Sequence, residues 1–163
     1  MNAVRWPLTS NVIRRHSESN TFGMVRKNND GSPRAHQGWD FYATPGTPCY
    51  AISDGKVVFA GVSGAFGTLL VIKFQYAGQD LYAAYAHLSQ ILVNANDSVS
   101  LGQKIALTGN SGNAGSMTGL DQHLHFEIRT MAMPGLGLAG RKSPLQIYHK
   151  CPLQAPVLDP IQN

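Results

Sequence analysis

The chain has 163 residues, enough for one domain with a hydrophobic core. Its 17 glycines, nine prolines and 13% charged residues favour a turn-rich β protein over a helical one. The net charge of +4 suits an anionic polymer such as a cell wall, or serves solubility alone, but no basic run is longer than a pair, which makes the long basic stripe of a nucleic-acid binder a poor fit, and no stretch is apolar enough for a membrane span.

Residues 1–35 read as an irregular N-terminal arm. Residues 1–7 lack the apolar run of a signal peptide, so a trimmed leader or delivery by a secretion apparatus is expected. Asn28-Asn29-Asp30-Gly31-Ser32-Pro33 is a strong turn signal. From Asp40 onward, short apolar runs alternate with Gly, Pro and Asp. Strands are expected at 39–43, 48–52, 55–60, 68–74, 80–87, 104–108 and 123–129, where β-branched and bulky residues collect. Ser53-Asp54-Gly55 and Ala77-Gly78-Gln79-Asp80 read as hairpin turns. A short helix is expected at 88–93. Residues 110–122 and 130–140, rich in glycine and small polar residues, read as mobile loops.

Four of the six histidines fall in three motifs. His36 and Asp40 sit in His36-Gln37-Gly38-Trp39-Asp40, His87 in Tyr85-Ala86-His87-Leu88, and His123 and His125 in His123-Leu124-His125-Phe126-Glu127. A catalytic zinc takes three protein ligands and keeps one position open. Five candidate groups therefore leave two for proton transfer. On a strand, His123, His125 and Glu127 share one face and Leu124, Phe126 and Ile128 the other, toward a core. Over an extended strand His36 and Asp40 would lie roughly 13 Å apart, so the backbone must bend between them, and Gly38 is the residue most able to bend it. The chain has no His-Glu-x-x-His motif, only two glutamates (Glu18 and Glu127), and no Gly-x-Ser-x-Gly elbow.

These motifs, in this order, resemble the lysostaphin/LytM-type zinc endopeptidases that cut peptidoglycan peptides. Phe22-Gly23-x-x-Arg26, the segment 47–61, residues 67–72, residues 99–105 and Ser143-Pro144-Leu145 match as well. The resemblance implies an all-β fold, a mostly antiparallel core with long loops walling a groove. It implies one zinc ion per chain held by His36, Asp40 and His125. It makes His87 and His123 the catalytic pair, one as general base, the other stabilising the oxyanion or protonating the leaving amine; the sequence does not divide these roles. It divides the chain into the arm 1–35, a peptidase core 36–148 and a C-terminal tail 149–163. The long segment 109–122, Asn94-Ala95-Asn96-Asp97 in place of a glycine turn, and an insertion at 131–140 depart from the family pattern and bear on specificity.

The resemblance implies a peptidoglycan peptide as substrate, an extracytoplasmic site of action, a monomer, and no nucleic-acid partner. An antibacterial effector would add a cognate immunity protein. The alternatives are a catalytically silent wall-binding or amidase-activator module of the same fold, and an amidase cutting a different bond. Glu127 is expected on the strand surface in preference to a role orienting His125; Asp121 is a second such candidate, and Trp39 and Tyr42 are expected in the core or groove wall. Outside the cytoplasm disulfides persist, and Cys49 and Cys151 are expected to bond and pin the tail across the core.

Overall fold

The computed structural model describes residues 4–160. The first three residues of the arm and the last three of the tail lie outside the described residues. The strands are β1 (Ser10–Asn11), β2 (Gly23–Lys27), β3 (Pro33–His36), β4 (Trp39–Tyr42), β5 (Pro48–Tyr50), β6 (Gly55–Val62), β7 (Thr68–Tyr76), β8 (Gln79–Ile91), β9 (Ser98–Val99), β10 (Lys104–Thr108), β11 (His123–Arg129), β12 (Arg141–Lys142) and β13 (Val157–Leu158). The one α-helix among the described residues is the single turn α1 (Leu145–Tyr148). The fold is all-β and antiparallel, as expected.

Nine strands form the main sheet, whose spine is β12-β11-β8-β7-β6-β9. β4 pairs with the free edge of β11, placing Asp40 directly opposite His125 and Tyr42 opposite His123. On its other edge β11 pairs with β8, His125 opposite Ala86 and Glu127 opposite Ala84. The alanines matter: a larger side chain beside either residue would fill the space that the histidine and glutamate occupy.

One face of the sheet carries the core, with Trp39, Phe41, Tyr85, Leu124, Phe126 and Ile128 all buried. Strand alternation in β8 puts Leu81, Ala83 and Tyr85 on that face, yet Leu88 lies there too. The odd spacing marks a β-bulge. His87 takes a positive φ of 57°, and the β7–β8 register slips between the Leu70–Tyr85 and Thr68–Leu88 pairs. The extra residue turns His87 away from the core and onto the face of Ala86 and His125. Beyond the bulge β8 continues to Ile91, paired with β10. Of the helix expected at 88–93, residues up to Ile91 are strand, because the ladder with β10 takes up their backbone hydrogen bonds.

Ala77-Gly78 makes the two-residue hairpin between β7 and β8, with φ of 49° and 77°. Ser53-Asp54-Gly55 does not close a hairpin: β5 pairs with β10, whereas β6 pairs with β7 and β9. The turn carries the chain between different parts of the sheet.

The arm contains β1, β2 and two 3-10 turns (Arg14–His16 and Glu18–Asn20). β1 pairs with β13, Arg5 forms an ion pair with Asp159 at 2.6 Å, and the Ile13 N–H donates to the Pro152 carbonyl. Trp6 stacks on Tyr148 with ring centroids 4.0 Å apart, capping Trp39 and Phe41. Arm and tail thus hold each other against one end of the core. The expected disulfide is absent: Cys49 is a free thiol buried on β5 and Cys151 a free, half-buried one. The tail is tied to the arm by β1–β13 pairing and the Arg5–Asp159 pair, which makes a covalent link to β5 unnecessary. Trp6→Ala should cost about 3 kcal/mol of stability, scaled from large-to-small aromatic changes in cores. Urea unfolding measures it, and a loss below about 0.5 kcal/mol, the level of an ordinary surface change, would show that the stack does not brace the arm.

Candidate metal centre

The groove lies on the sheet face opposite the core, a cavity of about 470 Å³. His36, Asp40, His87, His123 and His125 all line it. Phe66 lines it too, as do Pro134 and Leu136 of the loop 130–140.

His36 ends β3 and Asp40 lies in β4, so the chain does bend between them. Gly38 serves the bend by close approach: a Cβ there would collide with the Phe126 carbonyl and crowd the Glu127 side chain. Asp40 Oδ1 lies 3.1 Å from His36 Nε2 and 2.9 Å from His125 Nδ1. One donor atom from each of these three residues fits within a 4.8 Å cluster, and all three residues are buried.

Each imidazole is oriented by a partner that only accepts hydrogen bonds, which fixes its tautomer. His36 Nδ1–H donates to the Thr21 carbonyl at 2.8 Å, leaving Nε2 with its lone pair toward Asp40. His125 Nε2–H donates to Glu127 Oε2 at 2.7 Å, leaving Nδ1 toward Asp40. His87 Nδ1–H donates to the Ser111 carbonyl at 2.9 Å, and His123 Nδ1–H to the Asp121 carbonyl at 2.8 Å. Their Nε2 atoms are left as the basic nitrogens. His123 Nε2 stands 3.6 Å from Asp40 Oδ1, and the His87 and His123 rings are 5.1 Å apart.

Two lone-pair nitrogens converging on one carboxylate oxygen repel unless a cation lies among them. The set of two imidazole nitrogens and one carboxylate oxygen is that of a zinc site with an open position, and its spacing suits bonds of about 2.0–2.2 Å. The titration behaviour reflects the same demand. Burial opposes charge on His125, but the Asp40 and Glu127 carboxylates outweigh it and raise its pKa to about 9. Burial likewise opposes charge on Asp40, yet the imidazoles around it, His125 foremost, hold it well below the usual carboxylate range. A proton fills the place that a metal cation would take. Burial, reinforced by the neighbouring imidazoles, depresses His87 to about 4, and burial also lowers His123. Both are neutral at pH 7 and free to accept a proton.

Glu127 is fully buried, contrary to its expected place on the strand surface. Its Oε1 accepts from Arg129 Nε at 2.8 Å and Arg141 Nε at 2.7 Å. Burial disfavours its charge, but His125 and the two arginines outweigh that and bring its pKa to about 2. Arg141 also donates to the carbonyls of Gly135 and Gly137, fixing the groove-wall loop. Asp121 instead lies at the rim, paired with Arg14 and Arg15. Trp39 is in the core.

Sequence reading missed the clamp on the far side of Asp40. Oδ2 accepts from Arg14 at 3.0 Å and Arg26 at 3.2 Å, and both arginines also donate to Asn20 Oδ1. Arg14 and Asn20 belong to no motif, so no sequence signal pointed to them. Ser111, whose hydroxyl bonds Leu88 O and Thr68 N across the bulge, had none either. Arg129 was legible in principle, since it continues the alternation of His125 and Glu127.

Residues 34–135 match the model of peptidase family M23, a span that contains all five groove residues. The chain belongs to peptidase family M23. It is 35% identical to the murein hydrolase activator NlpD of Escherichia coli over 126 residues, covering 77% of this chain and 27% of NlpD. It is 40% identical to the peptidoglycan DD-endopeptidase ShyA of Vibrio cholerae over 99 residues, 61% of this chain and 21% of ShyA. The M23 chain therefore spans less than a third of either curated relative. The catalytic domain of the antimicrobial peptidase lysostaphin from Staphylococcus simulans superposes with a TM-score of 0.62 at 30% identity, covering 80% of this chain and 90% of that domain. Among the described residues of this M23 chain, no helix is long and apolar enough to cross a membrane.

Replacing Glu127 by Gln would set an amide N–H or an uncharged oxygen against His125 Nε2–H. Glu127→Gln should weaken binding of a divalent metal by about 10–100-fold, as loss of such an orienting partner does elsewhere. Titration against a chelating indicator checks this, and unchanged affinity would show that Glu127 does not orient His125.

Proposed function

We propose that this M23 chain is a zinc-dependent endopeptidase that hydrolyses peptide crosslinks or stems of bacterial peptidoglycan. The observation that carries this reading is the convergence in one groove of three ligand-type groups and two neutral imidazoles, each with its tautomer set. His36, Asp40 and His125 would hold the ion. Zinc supplies a Lewis acid beside the scissile carbonyl and makes water easier to deprotonate.

His123 or His87 accepts the proton of the attacking water at Nε2, and its own N–H bond to a backbone carbonyl steadies the imidazolium that forms. The proton then passes to the leaving amine as the C–N bond breaks. The second imidazole, whose Nε2 also carries no hydrogen, helps orient the water by accepting from it, and donates to the carbonyl oxygen only once it has itself taken up a proton. In this reading residues 36–148 are the peptidase core, and the arm and tail brace it. The substrate places the action outside the cytoplasm, in the periplasm or cell wall.

The name of the relative NlpD supports a second reading, an activator that works through another wall enzyme. Digestion of purified peptidoglycan, with and without a chelator, separates the two. Soluble peptide fragments that vanish with chelator and return with zinc are expected; no fragments at any zinc level would favour the activator. His87→Ala and His123→Ala should keep the metal and lose about 10²–10⁴-fold in rate, the usual contribution of a general acid or base. A variant that digests at the parent rate has no such role, and one that loses the metal is a ligand.

A further inference from the structure

A second, more open pocket of about 570 Å³ adjoins the groove and shares Arg14 and Arg26 with it. Arg15, Lys27 and Arg34 also line it, and its only acidic lining residue is Asp121. That carboxylate is already taken, by Arg15 at 3.1 Å and Arg14 at 3.2 Å. Arg14 and Arg26 also donate to Asp40, whose charge is committed to the groove, and to Asn20 Oδ1, and Arg26 Nε donates to the Ser19 carbonyl. Among the described residues, Lys27 and Arg34 have no carboxylate within ion-pair distance.

One further observation points to an anionic ligand. Arg26 and Arg34 are direct cross-strand partners in the β2–β3 hairpin, and like charges so placed destabilise a sheet. A planar carboxylate offsets that repulsion, since guanidinium groups bind it through paired N–H bonds. Four of the five cations, Arg14, Arg15, Arg26 and Lys27, precede residue 34, where the family match begins.

We propose that this basic pocket holds a free carboxylate of the crosslinked peptide, so that the chain selects crosslinks bearing a diamino-dicarboxylic residue over carboxylate-free glycine bridges. This rests on the peptidase reading, because the shared arginines place the pocket's occupant beside the peptide that crosses the groove. A phosphate polymer fits less well: it needs a longer basic track, and the one remaining basic pair, Arg141-Lys142, lies elsewhere in the sequence.

Two probes test the pocket: a crosslinked peptide dimer with free diaminopimelate carboxylates, and the same dimer with those carboxylates amidated. Equilibrium binding is measured on His123→Ala protein, which keeps the pocket whole. The free-carboxylate dimer should bind about fivefold more tightly, in keeping with a half-exposed charge pair, and Lys27→Gln with Arg34→Gln should bring the two affinities together. The double variant should fold at least as stably as its parent, because it relieves the Arg26–Arg34 repulsion.

Equal binding of the two dimers, a preference that survives the double variant, or tighter binding of poly(glycerol phosphate) than of the free dimer would each overturn the proposal. Hydrolysis of the same dimers by the chain with His123 intact reads the peptidase proposal separately. Binding preference without cleavage would reject the peptidase and keep the pocket; cleavage without preference would reject the pocket and keep the peptidase.

Discussion

Asp40 carries opposite obligations on its two oxygens, and the rest of the site is arranged around them. Oδ1 faces His36, His125 and, at greater distance, His123. Oδ2 is gripped by Arg14 and Arg26. A carboxylate with so little contact with water would ordinarily be protonated. Here the imidazoles on one side, His125 foremost, keep it ionised, with the two arginines against its other oxygen, and that charge suits an anionic ligand. The arm is part of this centre and not an appendage: it supplies Arg14 and Asn20, and it is held in place by the Trp6–Tyr148 stack and by β1–β13 pairing.

The sheet supplies the second constraint. Every residue of β11 is buried, although alternate side chains point to opposite faces. The core side is apolar, whereas the other side runs His123, His125, Glu127, Arg129, a row of polar groups each satisfied by a neighbour. Such a row is stable only when complete, because removing one partner leaves another buried and unpaired. Ala84 and Ala86 make room for it, and the bulge at His87 adds a fifth groove residue from a strand that would otherwise have turned it into the core. Through Glu127 and Arg141, His125 is linked to the loop that forms one groove wall. Loop position and the orientation of the His125 ring therefore depend on one buried carboxylate.

Much of this was legible from local spacing. Alternation across residues 123–129 placed the histidines on one face, and the short gap from His36 to Asp40 required the observed bend. What spacing reports is the face, not the burial, which is why Glu127 was misplaced at the surface. The bulge escaped because its mark, Tyr85 and Leu88 both in the core, looks like helical spacing when only a few residues are considered. The contacts of Arg14 with Asp40 and of Arg5 with Asp159 join residues 26 and 154 positions apart, and no local pattern encodes them. The cysteine pairing failed for the same reason: compartment and count said nothing about which element the tail would dock on.

The most direct test of Asp40 as the centre of the site is the metal stoichiometry of the purified chain and of Asp40→Ala, by elemental analysis after dialysis against trace zinc. One zinc per chain in the parent, and almost none in a folded Asp40→Ala, is the expected result. Full occupancy in Asp40→Ala, or none in the parent, would contradict the account.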